Sequence, residues 1–320
     1  MLLILVTTVF VVMRIMPGDP VTALLGLGNA SPEYIEEMRE NLGLNDPLTT
    51  QYIRYLQNIL KLDFGVSMAS RRAVWLEIAG ALPATLELVT ISMGFALVSG
   101  IYLGLIAARR KGSAIDNSIT LFSLIRWCIP VFWIGLILQL LFAVLIPIFP
   151  VTGRIDPTIS FTRITGSYIL DSIFSANIPA FTSSIMHLVL PVLTLSTMMG
   201  AQLAIICRAN LIQVADDEFV RTARLKGCSE KHIFRKHVLP NALIPILTYA
   251  GAQFAMLAGG LVLTEQVFSW PGLGRVLVDA IYTRDFQVVQ GCMIFIGIFV
   301  SFINIGVDII YSILDPRVRY

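Results

Sequence analysis

Six apolar segments constrain this chain more than any other feature, because several approach or exceed the roughly 20 residues with which a helix crosses a bilayer. Charged residues make up 14% of the sequence, against about 25% in soluble domains. The alternating pattern of β-barrel strands is absent. The sequence therefore predicts an all-α membrane protein with six transmembrane helices, at about 1–16, 84–108, 118–146, 184–206, 242–263 and 288–314.

Basic residues set the expected orientation, since loops rich in Lys and Arg stay in the cytoplasm. They cluster after the second segment at 109–111, after the fourth at 208–236 and in the tail at 317–319. These loops lie on one side, so we expect a multi-pass protein of the plasma or inner membrane with both termini cytoplasmic. The segment at 1–16 lacks a basic N-terminal region and a small-residue cleavage site, and is predicted to be a true span rather than a signal peptide.

The pattern divides the chain into a first transmembrane helix at 1–16, an extracytoplasmic subdomain at 17–83 and a five-helix core at 84–320 with a cytoplasmic loop at 207–241. Residues 17–83 are too many for a bare connector. Ser31 suits an N-cap, Pro32 a first helical position and Gly43 a C-terminal stop, which predicts a short helix over 32–42. A second, amphipathic helix is predicted over 48–62.

The loop at 207–241 contains a polar segment with helix signals at both ends. Acidic residues at 216–218 suit the positive end of a helix dipole, and Arg224 and Lys226 suit the negative end. Gly227 can take the left-handed conformation that stops the helix, and Ser229 can begin a second helix that runs to Leu239. This hairpin between two spans suits the docking of a soluble partner. The alternative is a solvated loop whose charges only enforce topology.

One face of the first predicted helix carries Phe219, Thr222, Ala223 and Lys226 at helical spacing. Its middle is small, so a groove on another protein can approach closely. We therefore expect Ala223 to face that partner.

This segment resembles the EAA-type coupling loop of permease subunits in ATP-binding-cassette importers of the dipeptide, oligopeptide and nickel family. The matching residues are Glu218, Phe219, Val220, Arg221, Thr222, Ala223, Arg224, Lys226 and Gly227, followed by Pro240, Asn241 and Pro245. Further family-like strings follow in order along nearly the whole chain: Pro17-Gly18-Asp19-Pro20, Leu62-Asp63-Phe64-Gly65-Val66-Ser67, Pro83-Ala84-Thr85-Leu86-Glu87-Leu88, Pro130-Val131-Phe132-Trp133, Phe268-Ser269-Trp270-Pro271-Gly272-Leu273-Gly274-Arg275 and Asp315-Pro316-Arg317-Val318-Arg319.

The resemblance implies the type I importer permease fold and a set of partners. These are a second homologous permease, two cytoplasmic ATPases that dock the coupling helix, an extracytoplasmic binding protein and membrane lipid. ATP and Mg²⁺ would be bound by the ATPases, so this chain itself needs no cofactor. Small peptides are the commonest cargo that the resemblance implies, with oligosaccharides and nickel chelates as alternatives.

The sequence itself contains no GxxxxGK[ST] phosphate loop and no acid-base or nucleophile constellation typical of an enzyme. A secondary transporter would need membrane-embedded ion-coupling groups and usually inverted repeats, and neither is visible. A channel or scaffold would not need the docking hairpin.

Arg126 lies in the middle of the third apolar segment, where a charge costs roughly 2.5–3.5 kcal/mol or more. It either lines the translocation pathway, together with Pro130, Phe132 and Trp133, or forms a structural pair with Glu87, Asp308 or a carbonyl of the partner permease. Phe132 and Trp133 also suit packing or the aromatic belt.

Prolines and small residues within the spans suit a gated bundle. Pro130, Pro191 and Pro245 are predicted to kink their helices. Small-residue ridges at Gly100 and Gly104, and at Gly251, Ala255 and Gly259, allow close helix approach within the chain or to a second permease.

No metal site is predicted. The four cysteines are scattered, and His232 and His237 are five residues apart, a spacing that does not share a face on an α-helix. The segment 264–282 is expected to form a folded loop or a short re-entrant helix at the outer mouth, either as a gate or binding-protein contact or as a structural cap.

Overall fold

The computed structural model describes residues 2–15, 32–41 and 43–314, and most of them are helical. Their helices are α1 (Leu2–Ile15), α2 (Pro32–Asn41), α3 (Leu48–Leu60), α4 (Val74–Arg109), α5 (Ala114–Cys128), α6 (Val131–Gln139), α7 (Tyr168–Phe174), α8 (Ile178–Ala215), α9 (Glu218–Leu225), α10 (Glu230–Ile233), α11 (Leu239–Gly260), α12 (Val262–Val267), α13 (Leu273–Tyr282) and α14 (Phe286–Leu314). Two π-helical turns, Leu140–Leu145 and Phe234–Val238, follow α6 and α10. The described residues contain no strand beyond one isolated bridge between Val66 and Ala73.

One compact unit comprises Met1–Thr85 and Pro271–Phe299. Its apolar core brings together α1, the start of α4, α13 and the start of α14, with Val9, Ile78, Leu273 and Ile294 all buried. Gly291 is required here, because a Cβ at this position would lie 2.6 Å from Val74 Cγ1. The α2 and α3 helices confirm the two short helices expected between the first two spans, and Gly43 takes the expected left-handed conformation with φ of 65°.

The second unit comprises Leu86–Trp270 and Val300–Tyr320, and α8 is its central element. The helices α5, α6, α7 and α11 all pack against α8. In the most apolar 18-residue stretch of α8, 67% of the stretch is buried. The corresponding shares for α4 and α14 are 33% and 28%. The apolar sequence alone did not distinguish this interior helix from the helices that leave apolar surface exposed.

Small residues bring the helices of the second unit close together within this chain. A Cβ on Gly100 would lie 2.6 Å from Leu203 Cβ, and one on Gly104 would lie 2.5 Å from Cys207 Cβ. In the same way, a Cβ on Gly251 would lie 2.4 Å from Val307. The described part of both predicted ridges therefore packs inside this chain.

The kink predicted at Pro130, within the span predicted over 118–146, is confirmed and is large enough to break the helix. The chain forms two helical segments, Ala114–Cys128 and Val131–Leu145, bent by 100° relative to each other. Ile129 between them is extended, with φ of −90° and ψ of 127°. The cause is local: Pro130 has no N–H to continue the ladder, and its ring disfavours a helical conformation for the residue before it.

Two other helices extend beyond their predicted bounds. The second begins at Val74 rather than near residue 84 and continues through Pro83, and the fourth runs over Ile178–Ala215 with Pro191 inside it. Pro245 likewise lies inside α11. In the described residues three helices are long and apolar enough to cross a membrane, or four if the bent pair is one span, and α1 is a shorter apolar helix.

Several predicted features fall outside the described residues. They are Ser31, the string at 17–20, the tail at 315–320 and the side chains of Ala255, Gly259 and Asp308.

Candidate functional site

The coupling segment, residues 216–241, begins with the helix α9. Asp217 precedes it in an extended conformation, without a side-chain capping bond, and Glu218 begins the helix. Gly227 follows with φ of 79°, and a Cβ there would meet no atom within 4 Å. The expected glycine stop is confirmed, and it depends on backbone conformation alone because nothing crowds the position.

The buried and exposed faces of α9 differ from the sequence prediction at one residue. Val220 is fully buried and Ala223 is 7% exposed, so this face holds the helix against the rest of the chain. Ala223 therefore packs against this chain, whereas the sequence had predicted that it would face a partner. Phe219 is 43% exposed and Leu225 is 83% exposed, and Thr222 and Lys226 are exposed beside them. The helix presents two large apolar side chains outward.

A hydrogen-bonded ion pair closes the hairpin between α9 and α10. Arg224 Nε donates to Glu230 Oε1 at 2.8 Å. This contact raises the pKa of Arg224 and lowers the pKa of Glu230. Both groups are exposed to solvent, so the pair fixes the turn more than it stabilises the fold. The backbone closes the same turn, where the Cys228 N–H donates to the Ala223 carbonyl at 3.2 Å.

The second helix of the hairpin does not end at Leu239 as predicted. It passes from α10 through the π-helical turn Phe234–Val238 directly into α11. The prediction that His232 and His237 face apart is also wrong, because their rings lie 6.1 Å apart. A π-turn has i→i+5 hydrogen bonds and more residues per turn than an α-helix, which brings residues five apart closer to one face. No cluster of three metal-ligating side chains occurs in the described part of the chain.

Two contacts join the coupling segment to residues at and just after the end of α4, and a third joins α5 to α8. Arg109 at the end of α4 lies over the Phe234 ring at 4.6 Å, and Lys111 approaches Asp216 at 3.9 Å. Asp116 in the first turn of α5 is fully buried and accepts a two-point hydrogen bond from Arg208 of α8, with Nη2 and Oδ2 2.7 Å apart.

Sequence reasoning missed this buried pair. The available signal was Ser113 followed by Asp116, an N-cap pattern. Ser113 Oγ accepts from the Asp116 N–H at 3.3 Å, and Asp116 Oδ2 accepts from the Gly112 N–H at 2.9 Å.

Arg126 is buried, 4% exposed, at the bend between α5 and α6. Its Nη1 donates to the Ile129 carbonyl at 3.1 Å, its Nη2 to the Thr194 carbonyl at 3.0 Å and its Nε to the Thr197 hydroxyl at 3.0 Å. The Ile129 carbonyl, which lies in the extended link between the two helical segments, thus accepts from a charged donor. The partners of Arg126 are therefore two carbonyls and a hydroxyl of this chain, rather than Glu87.

The other three residues predicted beside Arg126 lie at the start of the bent segment. Pro130 precedes its first turn, and Phe132 and Trp133 are 37% and 50% exposed. Their rings leave apolar surface available to lipid, a neighbouring subunit or the pathway.

Glu87 pairs with Arg154 instead of Arg126. The carboxylate contacts the Arg154 guanidinium and also accepts from Ser167 Oγ at 2.7 Å and from the Ile169 N–H at 2.9 Å. Arg154 lies over the Tyr168 ring at 3.8 Å, and both charged side chains are nearly fully buried. This network joins α4 to the segment before α7 and was missed because its partners are far apart in sequence.

Comparison with known proteins agrees with these features. Residues 100–320 match the family "binding-protein-dependent transport system inner membrane component", and residues 1–89 match its N-terminal companion. The chain is 40% identical over 311 residues to the di/tripeptide transport system permease protein DppB of Pseudomonas aeruginosa, covering 97% of this chain and 93% of that protein. It is 35% identical over 314 residues to the dipeptide transport system permease protein DppB of Escherichia coli K12, with the same coverage of 97% and 93%.

A solved structure, the inward-facing MetNI methionine ABC transporter, shares the fold. Its TM-score is 0.52 at 17% identity, over 72% of this chain and 93% of that one. Together, the family matches over both parts of the chain and the full-length relatives lead to one conclusion. The chain belongs to the inner membrane components of binding-protein-dependent transport systems and is a multi-pass permease subunit of an ABC importer, with ATP hydrolysis in separate subunits.

Proposed function

We propose that this chain carries small peptides across the inner membrane, paired with a second homologous permease. The observation that best supports this proposal is the 40% sequence identity, over 97% of the chain, to a protein named as a di/tripeptide permease. An extracytoplasmic binding protein delivers the peptide, and two cytoplasmic ATPases bind ATP and Mg²⁺. The chain itself holds no cofactor.

The proposed topology has six spans, with both termini in the cytoplasm. The six are α1, α4, the bent pair of α5 and α6, α8, α11 and α14. The basic residues at 109–111, 208–236 and 317–319 support this orientation. Under it, α2 and α3 belong to an extracytoplasmic segment between the first two spans.

The outward face of α9 is the proposed docking surface for an ATPase. Val220 and Ala223 pack α9 against the rest of this chain. Phe219 and Leu225 remain exposed and can enter a groove on the partner. Glu218, Arg221, Thr222, Arg224 and Lys226 form the polar rim, and Gly227 ends the helix. Exposed apolar side chains surrounded by polar groups are typical of interface anchors. Closure of the ATPases would move α9, and α8 and α11 would carry the motion into the membrane.

The pathway is proposed to run beside the start of α6. Phe132 and Trp133 border it, and Pro130 produces the bend that exposes them. Arg126 stabilises this bend by donating a hydrogen bond to the Ile129 carbonyl. In this arrangement Arg126 shapes the pathway without touching cargo.

The test uses the complete importer with its ATPases, second permease and binding protein in proteoliposomes. Leu225→Ser should lower labelled-dipeptide uptake and transport-coupled ATP hydrolysis by about tenfold, since truncating an interface anchor costs about 1–2 kcal/mol. Leu60→Ser is the matched control, because Leu60 is 84% exposed on α3, outside the coupling segment. Wild-type uptake by the Leu225 variant would refute the docking surface. Failure of the wild-type importer to take up any dipeptide would refute the cargo.

A further inference from the structure

The short helix α7 buries its polar side and exposes its apolar side. Asp171 and Ser172 are 0% and 1% exposed, whereas Leu170, Ile173 and Phe174 are exposed, Phe174 by 62%. The three apolar residues are spaced i, i+3 and i+4, so they lie on one face of the helix. A helix that borders water shows the opposite arrangement. The outer face of α7 is therefore covered by something other than water.

Local hydrogen bonds hold α7 in this orientation. Asp171 Oδ1 accepts from the Thr165 N–H and from the Thr165 hydroxyl, each at 2.7 Å, and Oδ2 accepts from the Gly166 N–H at 2.9 Å. The Ile169 N–H donates to the buried Glu87 carboxylate at 2.9 Å. A buried carboxylate without such donors is costly. Turning α7 over would break these bonds, so its apolar face is held outward.

The exposed apolar surface continues along the first turns of α8, against which α7 packs. Ile178, Ile185 and Met186 are all exposed there. Thr182 lies on the same stretch, but its hydroxyl donates to the Ile178 carbonyl at 3.0 Å, so its polar group is satisfied within the helix. We call this surface the α7–α8 patch; it consists of Leu170, Ile173, Phe174, Ile178, Ile185 and Met186.

The chemistry of the patch favours lipid over a protein partner. Between residues 164 and 186 the sequence contains a single charged residue, Asp171, and it is buried. A surface that docks a soluble protein has a polar rim around its apolar anchors, and this stretch offers no exposed charge for one. Membrane helices of two subunits approach through small side chains, whereas the patch consists of large ones.

The length of α8 places the patch at a bilayer surface. The roughly 30 residues from Ile178 to Cys207 extend about 45 Å, the thickness of a bilayer with its headgroups. Arg208, the first Lys or Arg of α8, then lies at one surface and Ile178 at the other.

Aromatic and basic side chains border the patch where a headgroup layer would lie. Arg163 lies over the Tyr168 ring at 5.0 Å, and Phe161 packs edge-on against Tyr168 at 5.1 Å. Tyrosine is enriched at membrane interfaces, and arginine side chains near the membrane extend their charge toward water.

We propose that α7 and the first turns of α8 lie in the headgroup layer of the bilayer, with the α7–α8 patch inserted among the upper parts of the acyl chains. Under the proposed topology this is the outer leaflet. The anchor holds the network of Glu87 and Arg154 at a fixed depth, because α7 bonds to Glu87 through the Ile169 N–H. Interfacial helices bind bilayers through such an apolar face.

The test measures quenching of a fluorescent unnatural amino acid that replaces Phe174 in the complete importer, reconstituted in liposomes. Phospholipids brominated near the headgroup or near the chain end report contact with lipid, and iodide reports contact with water. Lipid bromine near the headgroup should quench residue 174 most, and iodide least. The matched control carries the same amino acid in place of Thr158, which is exposed in a polar turn beside Asp156. There iodide should quench most.

Stronger quenching of residue 174 by iodide than by lipid bromine would overturn the proposal, and stronger quenching by the deep bromines would overturn the interfacial position. Protection from both quenchers would show that the second permease covers the patch. Iodide quenching that disappears when the binding protein is added would make it a docking surface instead. Should the Phe174 replacement not assemble, the same replacement of Ile173 tests the same face. Loss of peptide uptake by the wild type would refute the proposed cargo without changing the quenching.

Discussion

Replacing Arg126 by methionine should destabilise the whole permease without changing its choice of cargo. Methionine keeps much of the bulk but loses all three hydrogen bonds, to Ile129, Thr194 and Thr197. Side-chain hydrogen bonds within membrane proteins average about 0.6 kcal/mol, and those from charged donors contribute about 1.5 kcal/mol or more. Three such bonds together predict a loss of about 2–4 kcal/mol.

The loss should fall mainly on the bend. The Thr194 carbonyl lies inside α8, whereas Ile129 lies between two helical segments and depends more on its contact with Arg126. Arg126→Lys keeps the charge, but a single ammonium lacks the planar fork that reaches several acceptors at once. It should therefore recover only part of the stability.

The assay combines thermal unfolding of the purified importer with uptake of peptides that have a free or a blocked carboxyl terminus. A structural role predicts a lower Tm and an equal fractional loss of uptake for both peptides. Arg163→Met is the control, because Arg163 is exposed and packs over Tyr168 at 5.0 Å. An unchanged Tm with uptake lost only for the free-carboxyl peptide would refute the structural role and place the guanidinium in contact with cargo.

Other predictions follow from the close helix contact, the buried pair and the helix stop. Gly104→Val should cost about 1–3 kcal/mol by overpacking, because its Cβ would lie 2.5 Å from Cys207 Cβ; an unchanged Tm would contradict this crossing. Asp116→Asn should cost about 1–3 kcal/mol in thermal unfolding, because the Arg208 that it leaves unpaired is partly exposed to water, and Arg208→Gln should cost more, because it leaves the buried Asp116 carboxylate without its charged partner; the reverse order would contradict the burial difference. Gly227→Val should reduce transport-coupled ATP hydrolysis and Gly227→Asn should reduce it less, since side chains other than Asn strain this conformation by about 1 kcal/mol or more; equal activity of both would exclude a role for the backbone.

Local features of the structure were largely predictable from the sequence. Caps, helix dipoles and turn chemistry predicted the start of α9 after Asp217 and the glycine stop at Gly227. The same signals predicted the two short helices between α1 and α4. These signals act within a few residues, so each can be recognised without knowing the rest of the fold. The break at Pro130 had the same local origin, and the sequence predicted a kink there without giving its size of 100°.

Only the tertiary structure decided which partner each polar group meets and which face each helix buries. Glu87 and Arg154 are 67 residues apart in the sequence, and Asp116 and Arg208 are 92 apart. Ala223 turned inward because the burial of α9 depends on where the rest of the chain lies, which its own periodicity does not specify. The sequence determined a membrane chain with a helical hairpin between two of its apolar segments, because hydrophobicity and backbone preferences are local. The positions of its buried charges required the packed helices, because long-range pairing is decided by where the chain brings its groups together.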